Sequence, residues 1–537
     1  MGLVLSFLEH FFMGLGGTFR NGCLNKAEAF ALADFREANE RGGFSNGSGL
    51  RFIGSAPLDG PAHEIVSWLL HWHLGPTALN WFGRPFINAF NLDPGILPMR
   101  LNPEAPTAYW GDATFPISDG TGHFLVAGGP GSGKTITLRL LMQSVLKHLG
   151  SGLGQRLLVC DTHGDLYPIL AGMDPKCPIH ILNPFDQRAA AWDLAADVTT
   201  ALTANQLAAS LIPDPESGQT FFAAAARQIV AAICVSFIRR APGDWTLRDV
   251  LLAARGRNRL RSVLRLSPDT AHLAESLFAN EPTADNIFAT LGLLLLPFEA
   301  VAACSEHTEA KISLTAWLQS EAIILFSTRL SEPDLPPFYQ AMFQRLAGLI
   351  LEQKASASSH TWIFLDQLDE ALRFERLEKL LAAGRSKGAC VAMSFQDIEK
   401  LRRLYGPAAA GSITAACRRK TFLRTHSKET AEWASCLAGS AVTTDGICTP
   451  RILPEALMSL PMPGPASGFP AFHQSPDGGI TFSRKSWDWI LANLKLPNPA
   501  ELAEVSRPAS DRILLDWTYQ DYCRLRLQPP ENLSPVP

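Results

Sequence analysis

The stretch Gly128-Gly-Pro-Gly-Ser-Gly-Lys-Thr135 limits what this chain can fold into more than any other. It fits G-x-x-x-x-G-K-[ST], a loop whose backbone N–H groups close around phosphate oxygens. The motif needs a strand before it and a helix after it, and both are present. Gly122-His-Phe-Leu-Val-Ala127 is a short apolar run that reads as a buried strand. Ile136, Leu138, Leu140, Leu141, Val145 and Leu146 then recur at helical spacing. Gly128, Gly129, Pro130, Gly131, Ser132 and Gly133 would wrap phosphate at the N-terminus of that helix, where partial positive charge favours an anion. Lys134 would reach the β- and γ-phosphates of ATP, and the Thr135 hydroxyl would ligate Mg2+.

The flanking pattern predicts an α/β fold around this loop. Apolar runs that read as strands follow at Arg156–Asp161, Pro178–Leu182, Ala322–Ser327, Thr361–Asp366, Ala389–Ser394 and Lys420–Arg424. Helical stretches fit between them, as in a mostly parallel sheet. Residues 196–305 break the alternation: they are rich in Ala and Leu, have helical spacing and show no clear strand. The expected organisation is an N-terminal region (1–106), a first motor segment (107–195), an all-helical insertion (196–305), a second motor segment (306–475) and a C-terminal extension (476–537) ending in loose Pro-rich sequence. A chain of 537 residues has ample core for this.

Residues 1–106 carry weaker signals. The apolar opening Met1–Leu15 is interrupted by Glu9 and His10 and lacks a basic leader region; it reads as a helix packed on the protein's own core, with an amphipathic helix on a partner or a membrane surface as the alternative. Ala27–Arg41 looks helical and Arg51–Ser55 is a possible strand. His71 and His73 lie two apart, on different helix faces, and read as packing or surface residues. No run reads as long enough to cross a bilayer. The ten cysteines form no C-x-x-C pair, which fits free thiols better than a zinc ribbon or a disulfide framework.

Around the nucleotide, Thr361-Trp-Ile-Phe-Leu-Asp366 ends a buried run on a carboxylate. Asp366 is the candidate to hold Mg2+ beside Thr135; a plain strand ending in Asp is the alternative. Motor ATPases of this class normally follow that Asp with a Glu that polarises the attacking water. Here the residue is Gln367. An amide can orient water but cannot take its proton. Asp369 and Glu370 follow, and could reach the site only through an unusual strand exit. Gln396, after the strand ending at Ser394, is placed to sense a γ-phosphate, with a plain surface Gln as the alternative. Arg385 precedes that strand and could reach a neighbouring subunit's nucleotide as an arginine finger, or be a solvated charge.

Together these motifs resemble the coupling proteins of conjugative type IV secretion, of the TraD/TraG kind. The resemblance is carried by Asp161-Thr-His-Gly-Asp165, Ile181-Leu-Asn-Pro-Phe-Asp-Gln-Arg-Ala-Ala-Ala-Trp-Asp-Leu194, Leu380-Leu-Ala-Ala-Gly-Arg-Ser-Lys-Gly388, Ser394-Phe-Gln396 and Leu404-Tyr-Gly406. It runs from about Tyr109 to Thr425, in family order, with a helical domain where the family places one. It implies a RecA-like P-loop NTPase domain of the FtsK/HerA type, ATP and Mg2+ as ligands, and a ring, usually of six subunits. It also implies ATP-driven movement of DNA, single-stranded in conjugation, with a relaxase or secreted effector and the secretion channel as partners. The family usually has N-terminal transmembrane helices and Asp-Glu at the second phosphate motif. This chain departs at both; the expectation is a protein of the bacterial cytoplasm, free or held peripherally at the inner membrane by a separate subunit, with hydrolysis in question rather than nucleotide binding.

A net charge of −4 excludes a uniformly basic coat, so DNA contact would need a local basic channel. The densest cluster is Arg255, Arg257, Arg259 and Arg261, with Arg265 nearby; Arg402–Arg403 and Arg418–Lys420 are others. Each can equally be a solvated face or an ion-paired contact. No aromatic–basic alternation marks a base-reading surface, so binding without sequence preference is expected. Two rival readings remain at this point: an ATP-binding scaffold or mixed-ring subunit that hydrolyses poorly, and a DNA-packaging or defence translocase.

Overall fold

The computed structural model describes residues 106–537 except 214–219, 278–280, 328–331, 333–334, 357–358, 371–372, 443–447, 503–504, 532 and 534–537. The expectations for Met1–Leu15, Ala27–Arg41, Arg51–Ser55, His71 and His73 lie outside the described residues.

A hairpin of β1 (Thr107–Trp110) and β2 (Ala113–Pro116) precedes the phosphate-loop strand β3 (Phe124–Ala127). β4 (Gln155–Asp161) and β5 (Ile179–Ile181) follow, then a short parallel pair, β6 (Ala191–Trp192) and β7 (Lys311–Ile312), whose two members flank the helical segment. β8 (Ile323–Ser327), β9 (His360–Leu365), β10 (Ala389–Phe395) and β11 (Arg419–Phe422) complete the parallel strands. After a small ladder of β12 (Ser440–Val442) and β13 (Cys448–Pro450) come β14 (Phe469–Gln474) and β15 (Ile480–Lys485). The main sheet has nine strands in the order β15-β14-β11-β3-β10-β9-β4-β8-β5. From β11 to β5 the neighbours run parallel, and β14 and β15 add antiparallel at one edge.

The central strands are apolar through their middles because both faces are covered. On one face Phe124, Val126, Val159, Trp362 and Phe364 pack with Leu138, Leu141 and Val145 of the helix Lys134–Leu146. On the other, Leu125, Leu158, Ile363, Leu365, Val391 and Met393 share a core with Phe343, Leu377, Leu380 and the helical segment.

Between β6 and β7 every described element is helical. Two stretches there are long and apolar enough to span a bilayer, Phe221–Arg240 and Glu281–Glu306. This corrects the expectation of no such run. Each turns one apolar side to the protein, where Ile229, Val230, Ile233 and Phe237 are fully buried and Ile287, Leu291 and Leu295 join the same cluster, while Phe221, Leu293 and Leu296 are exposed.

A second correction concerns the boundary placed between residues 475 and 476. It falls inside the turn joining β14 to β15, so Ile480–Lys485 is a strand of the main sheet and not an appendage. The chain then returns across the molecule. Arg139 and Gln143 of the phosphate-loop helix donate to the Lys495 and Asn493 carbonyls, and Trp489 packs on Tyr109. Beyond it, Arg507 donates to the Pro184 carbonyl at 2.9 Å and to Thr308 Oγ1 at 2.9 Å.

Candidate functional site

Strand order brings the chemistry to one edge. β10 lies between β3 and β9, and β4 lies beyond β9. All four run parallel, so the phosphate loop, Gln396, Asp366 and the turn after Asp161 leave the same side of the sheet. Ligands of open α/β sheets sit at such carboxyl ends.

The loop needs its glycines for shape. Gly131 and Gly133 have φ of +69° and +101°, a region that side chains avoid. A Cβ on Gly133 would also lie 2.2 Å from Phe469 Cε2, so β14 packs directly beneath the loop. Ser132 Oγ donates to the Gly129 carbonyl at 2.7 Å, and Lys134 Nζ donates to the same oxygen at 3.0 Å. Lys134 is only 6% exposed. Burial pushes its ammonium below the ordinary lysine range, while the carboxylates of Asp366, Asp369 and Glu370 pull it back up.

Thr135 Oγ1 donates to Asp366 Oδ2 at 2.6 Å, across 231 residues of sequence. The other Asp366 oxygen accepts from Ser394 Oγ and from the Gln367 N–H. Ser394 was not singled out in sequence, although it precedes Gln396 in a quoted motif.

Gln367 has φ of +54°, left-handed for a non-glycine residue. Its N–H donates to Ser394 Oγ at 3.0 Å, which helps to hold that conformation. Its side chain bridges two neighbours: Gln396 Nε2 donates to its Oε1 at 3.4 Å, and its Nε2 lies 2.8 Å from His163 Nε2. In the sequence His163 stands out only as part of the quoted Asp161–Asp165 motif. That turn is fixed by Asp161, whose buried carboxylate accepts from the backbone N–H groups of His163, Gly164 and Leu166. Burial raises the Asp161 carboxyl above its usual range, against the pull of those donors.

Glu370 and one oxygen of Asp369 are engaged elsewhere, while Asp369 Oδ1 is buried without a partner among the described residues. Asp369 Oδ2 accepts from the backbone of Gln396 and Asp397 at 3.0 and 2.9 Å, capping the exit from β10. Its carboxyl is raised chiefly by burial. Glu370 is exposed and pairs with Lys400 at 2.8 Å.

Arg385 is exposed in the 3-10 turn Gly384–Lys387, before β10 begins. It therefore sits at the sheet edge opposite to Gln396. Strand β10 and the helix Leu377–Ala383 before it are tied to the start of the loop strand through His123, which sequence reasoning missed. The Val391 N–H donates to His123 Nδ1 at 3.1 Å, and Nε2–H donates to the Leu381 carbonyl at 3.0 Å. Burial lowers this imidazole to about 4.

Among the basic clusters, Arg255 pairs with Glu299 at 2.8 Å, Arg257 with Asp285, and Arg259 with Asp516 at 2.8 Å. Arg261 lies on the same helix, Arg257–Leu264. Arg402 pairs with Glu399, and Arg403 is exposed. Arg418 is exposed, whereas Arg419 is buried over the Phe115 ring and Lys420 is buried with its ammonium on the Cys417 carbonyl.

The segment Asn183–Asp197 shapes the junction with the helices. Asn183 Oδ1 accepts from the Phe185 N–H and its Nδ2 donates to Glu332. Asp197, 1% exposed, accepts from Trp192 Nε1, Ser313 Oγ, the Leu314 N–H, and both the N–H and hydroxyl of Thr315. The point where the chain enters the helical segment is thus bonded to the point where it leaves.

Comparison with known proteins agrees with this architecture. The family described as type IV secretion-system coupling protein DNA-binding domain matches residues 109–445. Coupling protein TraD of Escherichia coli (strain K12) is 26% identical over 322 residues, covering 58% of this chain and 43% of TraD. The chain thus aligns with less than half the length of that relative. Among solved structures, plasmid coupling protein TrwB in complex with ADP and Mg2+ superposes with a TM-score of 0.61 at 20% identity, over 78% of this chain and 96% of that one. Unbound TrwB in a monoclinic form gives 0.58 at 20% identity, over 72% and 89%. At that identity the likeness is one of fold, the RecA-like P-loop ATPase fold with a mostly parallel sheet. With the family match spanning well over half of its residues, this chain is a member of the type IV secretion coupling protein family.

Proposed function

We propose that the chain is an ATP-dependent translocase that binds DNA without sequence preference and delivers it, or a relaxase bound to it, to a type IV secretion channel. The observation that carries this reading is the 2.6 Å contact between Thr135 and Asp366 at the mouth of the glycine loop. The two hard oxygen donors of a Mg2+ site are already side by side. Lys134 spends one of its three donors on Gly129 among the described residues, which leaves an ammonium able to meet phosphate. Gly128 to Gly133 would enclose the phosphates, and Thr135 and Asp366 would hold Mg2+. When bound, that ion neutralises phosphate charge. Gln396 is the γ-phosphate sensor in this reading, and Gln367 the residue that orients water. That TrwB was solved with ADP and Mg2+ and with a non-hydrolysable ATP analogue supports nucleotide as the ligand.

The position of Arg385 before β10 suits a finger acting on the next subunit of a hexameric ring, since its own loop opens at the other sheet edge. Ion pairs within the chain engage Arg255, Arg257, Arg259 and Arg402, so the exposed Arg403 and Arg418 are the stronger phosphate contacts. The site of action is the cytoplasmic face of the bacterial inner membrane. The decisive experiment measures ATP affinity and turnover with and without single-stranded DNA, with Lys134→Ala as control. No measurable affinity for adenine nucleotides would overturn the reading. Normal binding with background turnover in both cases would instead favour a scaffold or mixed-ring subunit, the reading that Gln367 supports.

A further inference from the structure

The carboxyl ends of β10, β9 and β4 deliver three side chains that form a hydrogen-bonded row: Gln396, Gln367 and His163. The direction of the row can be read. Gln367 Oε1 accepts from Gln396 Nε2, so its amide NH2 faces the ring, and His163 Nε2 receives that hydrogen bond on its lone pair. With the amides in this orientation, the matching tautomer carries its proton on Nδ1, and the basic nitrogen points along the row toward Gln367, the residue after Asp366. The imidazole is held there by its backbone. Three N–H groups of its turn end on the Asp161 carboxylate, and Gly164 has φ of +75°. His163 is also exposed, so a proton taken there can pass to bulk water.

We propose that His163 Nε2 is the proton acceptor for ATP hydrolysis in this chain, with Gln367 positioning the water beside it. The proposal rests on the ATPase reading above. Gln367 cannot take a proton, Asp369 binds the end of β10 through Oδ2 and keeps Oδ1 buried, away from the solvent that must receive the proton, and Glu370 is paired with Lys400. In the step, Gln367 gives up its bond to the ring in favour of the water. The water oxygen bonds to the γ-phosphorus while its proton moves to His163 Nε2. The bond between the γ-phosphorus and the bridging oxygen breaks, and ADP leaves with the electron pair. The imidazolium then releases its proton to solvent, so ATP and water become ADP, phosphate and a proton.

The test uses the full chain with Mg2+, ATP and single-stranded DNA. His163→Ala is expected to lower kcat by about a hundredfold or more, with affinity for a non-hydrolysable ATP analogue unchanged. Added imidazole should restore part of the lost rate, and so should Gln367→Glu in the His163→Ala background. A purely structural role for His163 would allow no rescue by imidazole, and Gln367→Glu would then raise the rate by the same factor in the parent as in the His163→Ala background. Turnover of His163→Ala within about threefold of the parent overturns the proposal and leaves the ATPase reading standing. A parent chain that binds nucleotide without turning it over overturns both.

Discussion

Replacing Asp197 by Asn should loosen the helical segment from the sheet while changing almost no volume. Asp197 is 1% exposed and accepts five hydrogen bonds on two oxygens. One oxygen faces Trp192 Nε1–H and the Leu314 N–H, neither of which can turn away. The other faces the Ser313 and Thr315 hydroxyls, which can rotate, and the Thr315 N–H, which cannot. The Asn NH2 will take the second position, because only one fixed donor is then set against it. The loss is one charge-assisted bond made repulsive and weakening of the rest, about 3 kcal/mol. Ala at this site orphans three fixed N–H groups and should cost about 5 kcal/mol. Asp193→Ala is the control. Asp193 caps the same short helix through the Ala196 N–H but is half-exposed, and its loss should cost about 1 kcal/mol. In thermal unfolding the Asn variant should melt about 3 °C below the parent, the Asp193 variant about 1 °C below it. An Asn variant that melts within about a degree of the parent would refute the assignment of Asp197 as the anchor of this junction.

Gly133→Ala should abolish ATP binding, because its Cβ would meet Phe469 at 2.2 Å on a φ of +101°. Gly131→Ala, which meets only the flexible end of Met462 at 2.9 Å, should bind more weakly than the parent but measurably in equilibrium titration. Stability should fall on acidification from about pH 6.5 to pH 4. Burial lowers His123 and His473 to about 4 in the folded chain, so the unfolded chain binds their protons first, at a cost of about 3 kcal/mol for each by pH 4. A melting temperature that is flat across that window would contradict it. Arg524→Ala should destabilise the helical segment by about 3–5 kcal/mol, since it strips both guanidinium bonds from the fully buried Asp249. Denaturation of that variant should show an early transition, and a single unshifted transition would count against it.

The parallel sheet was legible because strands buried on both faces leave continuous apolar runs, such as Leu157-Leu-Val-Cys160 and Ile323-Ile-Leu-Phe326. The pairing of Thr135 with Asp366 was legible for a related reason: each ends or follows such a run in a motif with one geometry. The edge hairpin was not read, although Ser475-Pro-Asp-Gly-Gly479 is a turn signal, because Ile480–Lys485 is half-exposed and lacks an apolar run. His163 was invisible for a deeper reason. Its meaning comes from the adjacency of β4 and β9, which is a property of strand order and not of local sequence. The same holds for Arg255, Arg257 and Arg259: a cluster of charges is visible in sequence, but Glu299, Asp285 and Asp516, which pair with them, are remote.

Those remote partners change how the C-terminal residues must be viewed. Arg248 donates to the Leu515 and Asp516 carbonyls and pairs with Asp521 at 3.1 Å. Trp517 Nε1 donates to Asp249, which Arg524 also grips. Upstream, Arg507 holds the Pro184 carbonyl beside β5, and upstream again β15 closes the sheet through β14, which carries the ring beneath Gly133. One continuous segment therefore touches the floor of the phosphate loop, the Asn183 junction and the helical segment. Any displacement of the helices relative to the sheet must stretch or release it. A rearrangement at the loop that moves Phe469 has a covalent route, through about fifty residues of bonded chain, to the helices that bear the arginine cluster.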